Sequence, residues 1–191
     1  VIWNAQKYNP AGILSGEAIW DKFIERQNTE SVPYPPCLNG LNEKLKGMRQ
    51  GEITLFTSGT GSGKSTVIKE IVWHLLRTTD EEKVGLISLE ESVGDTAEKF
   101  IGMPINKRVG GEIPVTDKEL RDGFEAVFKD ERLILLDHQG SVDDSSLIDK
   151  IEYMALMGCK YLFLDHITIA VSEGSEGLSG NEAVDKVMSD L

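Results

Sequence analysis

Apolar and polar residues alternate in a repeating order along most of the chain. Four short apolar runs have the length of buried strands: 53–57, 84–89, 133–136 and 161–164. Between these runs, apolar residues recur every three or four positions and predict helices that begin near Lys64, Asp95, Thr116 and Asp143. Strands that alternate with helices favour right-handed crossovers. The pattern therefore predicts an α/β fold with a parallel sheet covered by helices on both faces.

Polar side chains at two of these helix starts indicate local capping. Thr116 and Glu119 have the spacing of a capping box, in which each side chain binds the backbone N–H of the other residue. The buried face of that helix is expected to consist of Leu120, Phe124, Val127 and Phe128. Asp143 or Asp144 is expected to cap the next helix. The inward face of that helix is expected to carry Ile148, Ile151 and Met154.

The part of the chain before residue 51 follows a different pattern. Helical spacing predicts an amphipathic helix over about 15–27 with Ser15 as its N-cap, and its apolar residues are Ile19, Trp20, Phe23 and Ile24. Three prolines within 28–40 oppose a helix or a central strand there and predict a linker. We therefore divide the chain into an N-terminal extension, 1–50, and an α/β core, 51–191.

A glycine-rich loop joins the first predicted strand to the helix at Lys64. Its sequence is Ser58-Gly59-Thr60-Gly61-Ser62-Gly63-Lys64-Ser65, which fits the Walker A motif except that a serine stands where a glycine is usual. The other glycines let backbone N–H groups point at phosphate oxygens, and the helix N-terminus adds partial positive charge. A loop that only turns a strand into a helix is the alternative, which the flanking elements disfavour.

The motif assigns a role to each loop residue. We predict that nucleotide is bound by Gly59, Thr60, Gly61, Ser62, Gly63, Lys64, Ser65 and Thr66. Lys64 is expected to reach the β and γ phosphates and to take part in catalysis, while the Ser65 hydroxyl is expected to bind Mg²⁺.

Carboxylates follow three of the predicted strands. Asp137 and Asp165 each end an apolar run, and either fits the acid that positions the metal ion. Glu90 and Glu91 directly follow the run 84–89, where one carboxylate is needed to activate the attacking water. Because strand side chains alternate, only one of the two glutamates is expected to face the nucleotide. A solvated acidic turn is the alternative for this pair.

The net charge, the apolar runs and the cysteines of the chain exclude some classes of function. The formal net charge of −12 opposes a general affinity for nucleic-acid backbones, so any contact with DNA must rest on local groups. The apolar runs are too short to cross a membrane. Cys37 and Cys159 lie far apart and lack zinc-site spacing, which indicates free thiols in a reducing cytoplasm.

Three segments together resemble a known family. They are 51–65, Leu89-Glu90-Glu91-Ser92 and Leu164-Asp165-His166-Ile167-Thr168. This set resembles the helicase domain of the phage bifunctional primase-helicases and their mitochondrial relative Twinkle, within the DnaB-like hexameric helicases. The resemblance runs from about residue 13 to the end of the chain, and the family shares the serine at position 58.

The resemblance implies a RecA-like P-loop core and specific residue roles. It implies that Asp165, which follows a Gly-Cys turn, positions Mg²⁺, with Asp137 as the alternative, and that Glu90 is the catalytic base. It also implies that 167–180 forms a DNA-facing loop and that the helix at 15–27 packs on an adjacent subunit. The helix at 15–27 packing on its own core is the alternative for that face.

As a whole, the resemblance implies a replicative helicase that hydrolyses ATP or dTTP. Such a protein would move along single-stranded DNA as a hexameric ring in the cytoplasm, which is the host cell's if a phage encodes it. The family's sensor strand, second DNA loop and arginine finger would lie beyond Leu191, so the core is expected to be incomplete on its C-terminal side. The 191-residue chain alone is therefore expected to be weakly active.

Two other functions share the phosphate-binding chemistry. A P-loop nucleotide or nucleoside kinase would have the same loop and metal, but it would also need an acceptor pocket and an arginine-bearing lid. A recombinase-type ATPase of the RecA class would form filaments or rings without unwinding DNA. The sequence contains no clear lid segment, and we expect the helicase.

Overall fold

The computed structural model of the chain describes residues 12–59, 61–137 and 147–165. Within these ranges the elements follow one another in a fixed order, which is α1 (Glu17–Asn28), α2 (Asn39–Leu45), α3 (Lys64–Thr78), β1 (Lys83–Ser88), α4 (Val93–Ile105), α5 (Asp117–Phe128), β2 (Leu133–Leu136), α6 (Leu147–Leu156) and β3 (Cys159–Asp165). From α3 onward, helices and strands follow the order that the apolar pattern predicts, with two consecutive helices, α4 and α5, between β1 and β2.

The three strands form one parallel sheet in the order β2-β1-β3. Val84 of β1 is in register with Leu133 on one side and Tyr161 on the other, and Ser88 is in register with Asp165. All carboxyl ends therefore lie at one edge, which is where ligands bind in open α/β sheets. The parallel sheet with flanking helices confirms the predicted α/β, RecA-like fold class.

Helices cover both faces of the central strand. On one face Val84 and Leu86 pack with α3, whose buried residues include Ile71, Val72 and Leu75. On the other face Ile87 packs with Met154 of α6. Burial on both sides explains why β1 is a continuous apolar run and not an alternating one.

A glycine in β1 sets the distance between the sheet and α6. A Cβ atom at Gly85 would lie 2.6 Å from Leu162 Cδ2 and 3.0 Å from Met154 Sδ. Both distances are shorter than normal carbon contacts, so any larger residue would push α6 or β3 away. The close packing holds the sheet edge that carries Ser88 and Asp165.

Helix α1 is present but differs from the prediction in its cap and its packing. Its N-cap is Gly16 at φ 58°, and Ser15 lies one residue too early for its hydroxyl to reach the first turn. None of the residues of α1 is buried by the described part of the chain, and Trp20 and Phe23 are 56% and 48% exposed. Packing of this helix on its own core is therefore wrong for the described residues.

The stretch predicted as a linker contains more structure than its prolines indicate. A 3-10 turn forms over Pro36–Leu38 and leads into α2, because proline is accepted at the start of a helix. The Asn42 side chain accepts from Tyr34 N at 2.7 Å and donates to Tyr34 O at 3.0 Å. Tyr34 is buried in the main core cluster, so this stretch is anchored to the core.

The predicted strand at 53–57 is wrong. Residues 52–59 run without helix or strand pairing, and Ile53 and Leu55 are 63% and 61% exposed. An apolar run becomes a strand only where its backbone groups meet those of a neighbouring strand. Here a cavity separates the segment from the open edge of β3.

Helix α5 starts as predicted, but Gly123 is buried where Phe124 was expected to be. Thr116 and Glu119 form both hydrogen bonds of the capping box. Gly123 faces α4, where a Cβ atom would lie 2.6 Å from the carbonyl oxygen of Ile101. This close contact rotates the helix, so that Val127 is buried while Phe124 remains 42% exposed.

The start of α4 also has a side-chain cap. The Ser92 hydroxyl accepts from Asp95 N at 3.1 Å and begins α4 two residues before the predicted start. In α6, Met154 is buried and Ile148 and Ile151 are half-buried, as predicted. The caps predicted at Asp143 or Asp144 lie outside the described residues.

Candidate functional site

The glycine-rich loop ends where α3 begins. Gly61 and Gly63 have φ values of 75° and 92°, which side chains with a Cβ rarely adopt, and Gly63 is the N-cap of α3. The hydroxyls of Ser58 and Ser62 lie 2.5 Å apart, and Ser62 donates to Gly59 O at 2.6 Å. The serine that departs from the motif thus braces the loop through its side chain.

Lys64 lies over this loop. Its ammonium donates to the carbonyl oxygens of Ser58 at 2.8 Å and Gly59 at 3.2 Å. Both acceptors are uncharged, so a phosphate oxygen would be a stronger acceptor for the ammonium. Ser65 follows in the first turn of α3 and is half-buried, while Thr66 is exposed.

A cavity of about 820 Å³ lies beside the loop. The residues of 51–58 form one wall, and the open edge of β3 forms the other. Lys64 and Asp165 both line the cavity, and Asp165 lies at the carboxyl end of β3. Much of the remaining lining is apolar, although other charged side chains also line the cavity.

The two candidate aspartates have different positions. Asp165 is 3% exposed and lines the cavity, and alternation along β3 puts it on the same face as Phe163, which packs toward α3. Asp137 is exposed and follows β2, which β1 separates from β3. The geometry therefore favours Asp165 over Asp137 as the acid beside the phosphate loop.

Ser88 is a polar residue at this site that the sequence did not indicate. It is 5% exposed and is in register with Asp165, so both side chains lie on the α3 face of the sheet. Its hydroxyl has no hydrogen-bond partner among the described residues. The residue was missed because it ends an apolar run, where a single serine looks like a buried strand position.

These oxygens fit a magnesium ion. Carboxylate and hydroxyl oxygens are the ligands that Mg²⁺ prefers, and the buried, unsatisfied Ser88 hydroxyl beside Asp165 is the kind of group that an ion's water shell would satisfy. No group of three or more His, Cys, Asp or Glu side chains in the described ranges could hold a metal alone. The ion would therefore share its ligands with phosphate.

The two glutamates after β1 have different surroundings. Glu90 is exposed, whereas Glu91 is half-buried and both of its carboxylate oxygens contact cations. Lys69 Nζ lies 3.2 Å from one oxygen, and Lys99 donates to the other. Burial alone would raise the pKa of Glu91, but hydrogen bonds and charge from Lys99 and Lys69 outweigh it and lower the pKa. Both carboxylate oxygens of Glu91 therefore take part in ion pairs.

Several predicted residues lie outside the described part of the chain. Thr60 of the loop and the segment proposed to face DNA, 167–180, both fall there. Within the described part, none of the helices is long and apolar enough to cross a membrane.

Comparison with known proteins adds one substantial likeness. The chain is 31% identical over 201 aligned residues to a DNA helicase/primase of Enterobacteria phage T3. The alignment covers 100% of the chain and 35% of the phage protein, so the chain spans about a third of that relative. No family model matches the chain.

Two weaker likenesses concern transport proteins. The chain is 24% identical over 196 residues to multidrug efflux ATP-binding/permease proteins of Mycobacterium bovis and Mycobacterium tuberculosis. These alignments cover 88% of the chain and only 15% of each transporter. The likeness to the phage protein is the stronger one in both identity and coverage.

Proposed function

From its likeness over its whole length to a phage DNA helicase/primase, we propose that the chain is the NTP-binding and NTP-hydrolysing core of a replicative DNA helicase. One observation carries the proposal beyond the likeness. Lys64, Ser58 of the glycine-rich loop and the buried Asp165 line a single cavity, and Asp165 lies at the carboxyl end of its strand in a parallel sheet. Triphosphates bind at this place in α/β folds of this kind.

The loop and the start of α3 would bind the phosphates. The backbone N–H groups of Gly61 and Gly63 and the partial positive charge at the N-terminus of α3 favour an anion. Lys64 would exchange its two carbonyl acceptors for β and γ phosphate oxygens. Of the other assigned loop residues, Gly59, Ser62 and Thr66 would add contacts around the same phosphates.

Ser65 and Asp165 would hold Mg²⁺, with Ser88 beside them. When bound, the ion neutralises charge on the β and γ phosphates. Ser65 is in the first turn of α3, and Asp165 is buried at the end of β3, so the two side chains approach from different elements. This arrangement ties the phosphate loop to the sheet edge.

Glu90 is proposed as the general base. Water attacks the γ phosphorus, the bond from that phosphorus to the bridging oxygen breaks, and the nucleoside diphosphate leaves with the bond electrons. Glu90 accepts the proton of the attacking water. Glu91 is unsuited to this role because Lys69 and Lys99 occupy its carboxylate oxygens.

The proposal extends to assembly and DNA. We infer that the full-length protein forms a ring, proposed to be hexameric, in which α1 packs on a neighbouring subunit and the centre admits single-stranded DNA. The exposed apolar face of α1 supports the first part. A partner arginine at the nucleotide would then speed hydrolysis, an effect worth about 10³ to 10⁵ in related phosphoryl transfer reactions.

Phosphate release by the full-length protein tests this function. We expect release from ATP or dTTP to rise when a poly-dT single strand is added, because translocation couples DNA to turnover. A parallel assay should add thymidine and other nucleosides and look for phosphorylated products. Phosphate release that ignores single-stranded DNA, together with nucleoside phosphorylation, would instead identify a P-loop kinase.

A further inference from the structure

A buried ion pair connects the phosphate-binding helix to the turn after β1. Lys69 of α3 is 3% exposed, and its ammonium lies 3.2 Å from Glu91 Oε2. The Thr96 hydroxyl lies 3.4 Å from the same oxygen, and Lys99 binds the other one. The Glu91 side chain is thus held by α3 and by α4 at once.

The position of this pair relates it to the proposed chemistry. Lys69 is on the same helix as Lys64, about one and a half turns further along. Glu91 directly follows Glu90 in the chain. The ion pair therefore fixes the turn that carries Glu90 against the helix that carries the phosphate loop.

We propose that Lys69 and Glu91 are positioning residues that set the distance between Glu90 and the γ phosphate bound in the loop. This inference rests on the proposed function, because it assigns the pair a task within NTP hydrolysis. Neither residue lines the cavity beside the loop. They act by holding the turn after β1, and an error of about 1 Å at a reacting group can cost roughly a hundredfold in rate.

Stability alone does not explain a charged pair at this place. The neighbours of Lys69 on α3 include Ile68, Ile71 and Val72, which are all buried and apolar. Replacing a buried ion pair by apolar residues is often neutral or stabilising, whereas removing one partner is costly. An ion pair differs from an apolar contact in that its partners have a fixed separation and direction. That property would keep the turn that carries Glu90 at a fixed position relative to α3.

The test uses full-length protein and separates turnover from binding. Variants Lys69→Met and Glu91→Gln each remove one charge, and the double variant removes both. We expect kcat to fall about ten- to hundredfold in each single variant, with the affinity for a fluorescent N-methylanthraniloyl ATP changed by less than about threefold. The double variant should be no slower than the slower single variant, because the two residues act as one unit.

Further variants guard against a loss of folding. Glu91→Asp keeps the charge but shortens the side chain, and should lower kcat without changing the thermal melting temperature. Lys69→Arg should recover part of the lost turnover because it restores a cation. Lys107→Met is the matched control. It breaks the 2.6 Å ion pair between Lys107, which follows α4, and Glu119 in the first turn of α5, and it should leave kcat unchanged.

The outcomes separate this inference from the proposed function. If Lys64→Ala abolishes hydrolysis but Lys69→Met and Glu91→Gln keep full kcat, the positioning role is wrong and the nucleotide site stands. The positioning role is also wrong if the two single losses multiply in the double variant, or if nucleotide affinity falls as much as kcat. Hydrolysis that survives Lys64→Ala would overturn the proposed function itself.

Discussion

Glu90 and Glu91 are chemically identical neighbours with different surroundings, and we propose different tasks for them. Glu91 is half-buried between two lysines, and its lowered pKa keeps it ionised, while Glu90 is exposed beside it. We expect Glu90→Gln to keep nucleotide binding and to slow hydrolysis by at least about a hundredfold, as for a lost general base. Glu91→Gln should slow it less than Glu90→Gln does, within the roughly ten- to hundredfold range expected of a positioning residue. Single-turnover hydrolysis would measure both, and the reverse order of effects would show that Glu91 faces the nucleotide.

The two aspartates allow a second comparison at the scale of single residues. Asp165 is buried at the cavity, whereas Asp137 is exposed at the end of another strand. Asp165→Asn should raise the magnesium concentration needed for half-maximal hydrolysis, because a neutral amide holds the water shell of the ion less well than a carboxylate. Asp137→Asn is the matched control and should leave the magnesium titration unchanged. A shift produced only by the Asp137 variant would reverse the assignment of the two strands.

Residue patterns predicted the parts of the site whose chemistry is local. The loop 58–65 and the acids at strand ends are readable because a phosphate loop needs glycines and because carboxylates end apolar runs. The residue pattern left Asp137 and Asp165 as alternatives, and only the family resemblance favoured Asp165. The strand order, which periodicity does not contain, supports the same choice because Asp165 lines the cavity and Asp137 does not. Lys69 and Ser88 were missed since a lysine on a helix and a serine in a strand give no sign of burial.

At the scale of elements, α5 shows how a cap contributes stability. The Thr116 hydroxyl accepts from Glu119 N, and the Glu119 carboxylate accepts from Thr116 N and from Lys107. Thr116→Ala should lower the free energy of unfolding by about 1 kcal/mol, as for other lost N-caps. Urea unfolding followed by circular dichroism would measure it. An unchanged midpoint would show that the cap contributes nothing here.

The same cap predicts a dependence on pH. Hydrogen bonds from Lys107 and from the Thr116 backbone lower the pKa of Glu119 from 4.5 to about 2. A lowered pKa in the folded state means that the contribution of Glu119 to stability is present above pH 4.5 and is lost as the pH falls toward about 2. The difference in stability between the parent protein and Glu119→Gln should therefore shrink across this window. A difference that stays constant down to pH 2 would contradict the assigned hydrogen bonds.

The elements also show where sequence patterns are insufficient. The strands and helices from α3 to β3 were predictable, because packing around one sheet determines which residues of each element are buried. The run at 53–57 has the composition of a strand, but no strand pairs with it among the described residues. Strand pairing depends on the assembled sheet and cannot be read from the run itself. In the proline-rich stretch, Pro36 starts a 3-10 turn, because the position of a proline in its helix decides its effect.

At the scale of the whole molecule, the apolar face of α1 is an exposed surface within the described part of the chain. Trp20 and Phe23 pack on each other with ring centroids 5.4 Å apart, yet both remain about half exposed. Trp20→Asp in the full-length protein should weaken ring assembly without lowering the melting temperature, because the side chain contributes little to its own fold. Sedimentation velocity would measure the assembly.

A matched control distinguishes this surface from other exposed apolar residues. Leu156 on α6 is 84% exposed, and Leu156→Asp should leave assembly unchanged. If both variants dissociate the protein equally, or neither does, α1 is not the assembly surface. The net charge of −12 makes such a control necessary, because added negative charge alone could oppose association.

The most direct test of the central claim is hydrolysis by a full-length Lys64→Ala variant, since we propose Lys64, whose ammonium lies over the loop, as the cation that binds the phosphates. Phosphate release with and without single-stranded DNA should be measured beside the binding of a fluorescent ATP analogue and the circular dichroism spectrum. We predict no hydrolysis above background, sharply weaker binding and an unchanged spectrum. Hydrolysis at the parent rate by a folded Lys64→Ala protein would contradict the assignment of this loop as the nucleotide site.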